Sequence, residues 1–416
     1  MTGTGLVSPL GCDADEFYNR LLAGESGIGK ISKFDASEYP TQIAAEVDDG
    51  AVTELALGGL MQKKFVKRVD PVIKFGMVAG KLALRDAGLD HEGEDIAKLD
   101  KVRSGILMGS ALGGFDAFGT AVSNLQQVSY KKMNPFCIPF AITNMPAAML
   151  AMDLNFMGPN YPANTACATG NYCIKLAADH IRRGEADLML AGGTEASVMP
   201  LSIQGFMACK ALSTNNDDPQ GASRPWDQDR DGFVMGEGAG VLVLESLEHA
   251  QARGANILCE VAGAAFTCDA YHLTDPRPEG EGVAACIQLA LADAGMTAED
   301  IDYVNCHGTS TPAGDMAEYK AIQKGLKGWK GKMNATKGQI GHLLGAAAAV
   351  EAVACVKALT TGWVHPNINL KNPSEGLDTN FIVGTVKEEL KPRTVLSNSF
   401  GFGGHNSAVI FKKFEP

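Results

Sequence analysis

The heptapeptide LALRDAG at residues 82–88 recurs as LALADAG at 289–295, 207 residues further on and about half of the 416-residue chain away. Each copy leads into a short apolar run and then a turn of Gly with Ser or Thr, MGS at 108–110 and HGTS at 307–310. A repeat on that scale exceeds any solenoid unit and predicts a duplicated, domain-sized core; the competing explanation is two helices that share a common ending. Helical and strand patterns alternate from end to end, which gives α/β layers. The spacing predicts a helix over 72–87 capped by Gly88, and a buried strand over 105–108 ending at Gly109. Ile174, Ala177, Ala178 and Ile181 predict a helix after Cys167 that stops at Gly184. Leu188–Leu190 reads as a strand ended by Gly192 and Gly193. The polar segment 212–236 contains Trp226, Phe233 and Met235, so it reads as an ordered excursion between the halves. The opening MTGTGLVSPLG reads as a Gly-rich turn of the kind that follows a strand, hence as a truncated or processed start.

Composition narrows the function. The net charge is −12 and the pI near 5.2, which argues against global attraction to nucleic acid or anionic membrane. An acidic partner would need a local basic patch. None of the ten Cys forms a C-x-x-C pair, so structural zinc spacing is absent, no metal is expected, and free thiols in a reducing compartment are. No apolar run of about 20 residues predicts a membrane span, and no targeting segment is visible.

A few residues could carry chemistry. Cys167, in NTACATGNYC, sits between Gly/Pro-rich chain and an amphipathic helix. The positive end of that helix would lower the thiol pKa, and a backbone N–H there would give half an oxyanion hole; the alternative is a small core thiol. His307, in NCHGTSTPAGD, follows the apolar run Ile301–Val304 and so lies at a strand's C-terminal end. His342 precedes a helix that is apolar on all sides and must be buried. Lys337 enters that segment and Glu351 is the helix's one acid, so an internal polar network is required, catalytic or structural. His180 and His249 read as ordinary surface residues. The GFGG loop around Phe402 lets backbone approach a ligand. One Cys, two His, a Lys and a Gly-Phe loop suit thioester chemistry with donors for a developing enolate oxygen.

Taken in order, TGTGLVSPLG, NTACATG, AGGTEA, ASRPWDQDRDGFVMGEGAG, HGTSTPAGD, NATKGQIGHLLGAAAAVEA and NSFGFGGHN resemble the elongating β-ketoacyl-acyl carrier protein synthases of the thiolase superfamily over essentially the whole chain. KKMNPFCIPFAITNM and FMGPNY are especially similar to plastid versions. The resemblance implies a thiolase-like, duplicated α-β-α-β-α fold, with residues 1–258 carrying the nucleophile and 259–416 carrying both histidines. It implies that Cys167 takes the acyl chain and that His307 and His342 hold the malonyl thioester oxygen as carbon dioxide leaves. Lys337 would organise the site, while Glu351 and Asp315 anchor its network. Thr309 and Thr311 would bind the phosphopantetheine arm, which arrives on the carrier, so no cofactor of the enzyme's own is implied. Phe402 would gate the pocket and complete the oxyanion hole. Leu112 and Phe206 would line the acyl tunnel, with Cys137 near its far end across a homodimer interface. Lys67, Arg68, Lys131, Lys132 and Lys210 would dock the acidic acyl carrier protein, against the reading of scattered solvated cations. The implied location is the plastid stroma, with a bacterial cytoplasm as the alternative. A polyketide-type ketosynthase and a Cys-His thioester hydrolase are the rival activities. The hydrolase leaves the second His and the duplication unexplained. A catalytically dead partner subunit would have lost Cys167.

Overall fold

Nine of the eleven strands of the computed structural model, which describes residues 1–415, build two mixed sheets that repeat one pattern. In chain order the strands are β1 (Gly3–Val7), β2 (Ile28–Lys30), β3 (Ile43–Ala45), β4 (Ser104–Gly109), β5 (Leu188–Glu195), β6 (Gly238–Glu245), β7 (Cys259–Cys268), β8 (Tyr303–Asn305), β9 (Lys332–Asn334), β10 (Thr394–Gly401) and β11 (His405–Lys413). The first sheet runs β1-β6-β5-β4 and the second β7-β11-β10-β8-β9. Both pair antiparallel, antiparallel, then parallel from their first strand, and β9 adds a further parallel strand. The remaining two, β2 and β3, form a small antiparallel ribbon.

The repeated heptapeptide ends equivalent helices. Pro71–Asp86 packs on β1 and β6, and Glu281–Ala294 packs on β7 and β11. Between the sheets lie the helices Thr169–Arg182 and Ala347–Thr361, which touch strands of both and each other. The layering is therefore α-β-α-β-α, and the central helices must be apolar on every side. Leu344–Thr361 has the length and hydropathy of a membrane span, yet 83% of it is buried inside the protein, as the core layer of this fold.

Several sequence expectations are corrected. Residues 3–7 are themselves a strand, not a turn: Gly3 and Gly5 are there because Pro71–Asp86 lies so close that a Cβ would meet Ala83 O at 2.4 Å and Ala79 O at 2.2 Å. Gly192 and Gly193 do not end β5, which continues to Glu195; Cβ atoms there would meet Gly240 O at 1.9 Å and Gly345 O at 2.2 Å. His180 and His249 are not free surface residues but half-buried partners of Glu185 and Glu245. The excursion at 212–236 is ordered, anchored by buried Trp226, whose indole N–H donates to Asp315 O at 3.0 Å.

Candidate active site

Cys167 lies in a single 3₁₀ turn, Ala166–Ala168, that runs directly into the helix Thr169–Arg182. Ala166 holds φ +50°, a strained conformation for a residue with a Cβ. Thr169 braces the turn: its hydroxyl donates to Ala166 O at 2.7 Å and accepts from Thr165 N–H at 2.9 Å. From the other sheet, Ser399 Oγ donates to Cys167 O at 2.8 Å. His307 follows β8 and is fixed through its main chain, because Glu318 accepts from the N–H groups of His307 and Gly308 at 2.7 and 2.8 Å. His342 follows the Lys337–Ile340 turn, and its N–H donates to Val234 O at 2.7 Å. The two imidazoles stand edge-on with centroids 5.2 Å apart. Ligating atoms of Cys167, His307 and His342 all lie within 4.8 Å of one another. Behind them the buried Lys337 Nζ meets Glu351 Oε1 at 2.5 Å.

Burial dominates the electrostatics. It pushes the Cys167 thiol up to about 12, and the field of Lys337 and the N–H of Phe402 pull it back only in part. The expectation of an acidified thiol is therefore corrected: desolvation is the largest influence on the sulfur, and the resting group is a thiol. Burial, reinforced by Lys337, drives both imidazoles well below their ordinary value, so both are neutral. His342 Nδ1 accepts from Leu344 N–H at 3.3 Å, which assigns its proton to Nε2. His307 Nδ1 lies 3.3 Å from Ser399 Oγ, whose own proton goes to Cys167 O; the partners thus assign the proton to His307 Nδ1.

A cavity opens onto the triad, lined by Phe206, Phe233, Thr309, Thr311, Phe400 and Phe402, with Lys210 at its rim. Thr309 and Thr311 hydroxyls are 3.0 Å apart. Phe402 is half-buried against Phe206, centroids 6.0 Å apart. Leu112 joins the apolar cluster around Cys167 and Phe206. Asp315 sits beneath the threonine loop, accepting from Ser310 N–H and Trp226 N–H at 3.0 and 2.9 Å and pairing with Arg230 at 3.4 Å. Cys137 is not brought to the cavity; it is half-buried at the start of the Cys137–Ala141 helix, beside exposed Phe136 and Ile138. Lys67, Arg68, Lys131, Lys132 and Lys210 are all exposed, and Lys210 alone of the five lines the cavity.

Cys and His are zinc-type donors, but the Lys337 ammonium opposes a cation at the triad. Buried side-chain oxygens of Asn305, Glu351 and Ser397 have no hydrogen-bond partner among the described residues. Sequence reasoning missed Ser399, Glu318, Phe233 and Glu195 as site residues. Ser399 and Glu195 lay inside quoted motifs, NSFGFGGHN and AGGTEA, but nothing in those strings says which backbone they hold.

Comparison with known proteins follows the same lines. The profile of "Beta-ketoacyl synthase, N-terminal domain" matches residues 1–250, and that of "Beta-ketoacyl synthase, C-terminal domain" matches 258–371. The chloroplastic 3-oxoacyl-acyl-carrier-protein synthase II of Arabidopsis thaliana is 55% identical over 416 residues, covering 100% of this chain and 75% of that protein. The 3-oxoacyl-acyl-carrier-protein synthase 2 of Vibrio cholerae is 44% identical, covering 99% of this chain and 98% of its own. Among solved structures, a type II PKS acyl-carrier protein in complex with its ketosynthase bound to the hexaketide superposes with a TM-score of 0.88 at 29% identity, covering 100% of this chain and 98% of the other. With the two profiles matching residues 1–250 and 258–371, which carry Cys167, His307 and His342, the chain belongs to the β-ketoacyl synthase family.

Proposed function

We propose that this chain is an elongating β-ketoacyl-acyl carrier protein synthase of fatty acid synthesis. The observation that carries the reading is the convergence of one thiol and two neutral imidazoles within 4.8 Å at the head of an apolar cavity. Cys167 sulfur attacks the acyl-carrier thioester, its proton passes to a neighbouring imidazole, and the carrier thiol leaves. The N–H of Phe402, already at the sulfur, and that of Cys167 serve the oxyanion. Malonyl-carrier then loses carbon dioxide, and the carbanion attacks the acyl-Cys167 carbonyl to give β-ketoacyl-carrier and the Cys167 thiolate, which takes up one proton from solvent to restore the thiol. Holding both thioesters in one site makes this step effectively unimolecular, and an apolar pocket keeps water from the carbanion.

His342 presents Nε2–H to the enolate oxygen. His307 does so in its Nε2–H tautomer, which is favoured when Ser399 turns its hydroxyl from Cys167 O to donate to His307 Nδ1. Lys337 and Glu351 hold the field behind both rings, and Asp315 fixes the loop on which Thr309 and Thr311 take the phosphopantetheine arm. Phe402 gates the cavity, and Leu112 and Phe206 line the acyl path. The enzyme uses no cofactor of its own. The ketosynthase–carrier complex among its structural neighbours supports an acyl carrier protein as partner, docked on Lys67, Arg68, Lys131, Lys132 and Lys210. Exposed Phe118, Leu125, Phe136 and Ile138 support a homodimer, with Cys137 at that face. The halves divide at 258/259, where β7 begins. The chloroplastic relative supports the plastid stroma, with bacterial cytoplasm as the alternative.

The test is conversion of acyl-carrier plus malonyl-carrier to β-ketoacyl-carrier and carbon dioxide. Release of free fatty acid alone would favour the hydrolase.

A further inference from the structure

The two central helices are entered by turns of the same shape. Ala166 and Leu344 both hold left-handed φ, +50° and +47°. Ala168 N–H bonds to Thr165 O at 3.1 Å, and Ala346 N–H to Leu343 O at 3.0 Å. Each turn is a three-residue 3₁₀ unit running straight into its helix, Thr169–Arg182 or Ala347–Thr361. By this correspondence Gly345 stands where the other turn carries Cys167. The strands facing the turns correspond as well: β5 and β10 both span eight residues, so Glu195 ends one where Gly401 ends the other.

The difference lies in what meets each turn's central N–H. Opposite Cys167 stands Gly401, which has no side chain. Opposite Gly345 stands Glu195, fully buried. Its Oε2 accepts from Gly345 N–H at 3.0 Å and Ala111 N–H at 2.8 Å. Its Oε1 accepts from Ser110 Oγ at 2.8 Å and Leu112 N–H at 3.2 Å. Three of these four donors are main-chain N–H groups, which can only donate, so the carboxylate is held as an acceptor. No ion pair of Glu195 occurs among the described residues. The group spans the halves: Ser110–Leu112 belong to the wall that carries Leu112 into the apolar cluster at Cys167, and Gly345 lies on the turn whose Leu344 N–H orients His342.

We propose that Glu195 is a positioning residue: its carboxylate occupies the oxyanion position of the second, nucleophile-free turn and thereby locks the acyl-path wall to the His342 turn. It does not activate the thiol, since its negative charge near Cys167 opposes thiolate formation. One change should therefore disturb both chain-length selection and decarboxylation. This rests on the condensing activity proposed above.

The test is Glu195→Ala with formate as a probe, because the truncation leaves a carboxylate-sized space faced by four donors. We expect carbon dioxide release from malonyl-carrier to fall by about tenfold to a hundredfold, with KM for that carrier within about twofold of the parent. The product-length profile should broaden, and added formate should restore both. A Glu195→Ala protein unchanged in both readouts overturns the proposal. So does one that loses acyl transfer and decarboxylation equally and gains nothing from formate, since that marks mere support of the fold. If Glu195→Ala does not fold, Ser110→Ala removes one donor to Glu195, together with the acceptor of Gly113 N–H, and should shift both readouts in the same direction by a few-fold; no shift overturns the idea. An inactive parent enzyme would instead overturn the condensing reading itself.

Discussion

Thr165–Ala168 and Leu343–Ala346 trace one backbone path in two halves of the molecule, yet only the first carries a side chain able to react. At Cys167 the facing residue is Gly401, and the neighbouring Phe402 N–H reaches the sulfur, so the turn is open to a substrate carbonyl. At Gly345 a Cβ would meet Ala111 N at 2.5 Å and Glu195 Oε2 at 2.7 Å, so the turn is closed by packing and by a carboxylate. A duplicated fold offers two equivalent helix ends. Packing at the second converts a potential nucleophile site into a mount for His342. Both turns keep the left-handed residue, so the strain belongs to the fold's way of entering a helix and not to catalysis alone.

The comparison can be broken most severely by making the turns alike. Cys167→Gly should reduce acyl labelling and condensation by about four orders of magnitude or more while the protein stays folded. Persistent labelling by an acyl donor would place the nucleophile elsewhere. Next, His342→Ala and His307→Ala should each slow carbon dioxide release by about a hundredfold or more and acyl transfer by less. The opposite ordering in a carbon dioxide assay would reassign both rings.

The second half also holds His365, buried with Asn334 and Thr336, which tests whether a buried imidazole there can serve stability alone. Burial lowers its pKa from 6.5 to about 4. The unfolded chain therefore binds this proton first. The stability His365 contributes is whole above pH 6.5 and is lost as pH falls from there through 4, about 3 kcal/mol in all. Glu195, Glu318 and Glu351, raised to about 7, push the opposite way, so the whole protein's pH curve is a mixture. The difference between His365→Gln and the parent isolates the histidine. That gap in urea-unfolding free energy should narrow from pH 7 to pH 4 with activity at pH 7 retained; a constant gap would refute the buried neutral state.

Gly345→Ala should then cost about 1–3 kcal/mol, read from a urea midpoint, because neither the Ala111 backbone nor Glu195 can withdraw easily. A neutral result would mean that the second turn is less tightly closed. Smallest of all, Lys131→Glu with Lys132→Glu should raise KM for the carrier a few-fold and weaken its salt dependence. An unchanged KM removes those two from the docking surface.

The duplication was legible in the repeated heptapeptide, and a buried helix in the all-round apolar character of residues 344–361, because periodicity and burial are properties of local sequence. Cys167, His307 and His342 were legible as candidates because each sits at an element boundary that pattern can locate, and the family resemblance then chose them over a core thiol and structural histidines. Gly3, Gly5, Gly192 and Gly193 were misread, since a glycine that ends a strand and one that admits a neighbouring backbone are the same letter. The acidity of Cys167 was misread for a related reason: the helix end is written locally, whereas desolvation depends on what the other half packs over the sulfur.

The sequence by itself determined the duplication, the alternation of helices and strands and the reactive residue types, while the layer order came with the family resemblance. Tertiary structure alone decided that Ser399 supports Cys167 from the other sheet, that Cys137 stands apart from the cavity, and that Glu195 fills the second turn. These depend on through-space approach between segments about 150 to 230 residues apart. Periodicity reports which face of an element is buried; it does not report which partner that face meets.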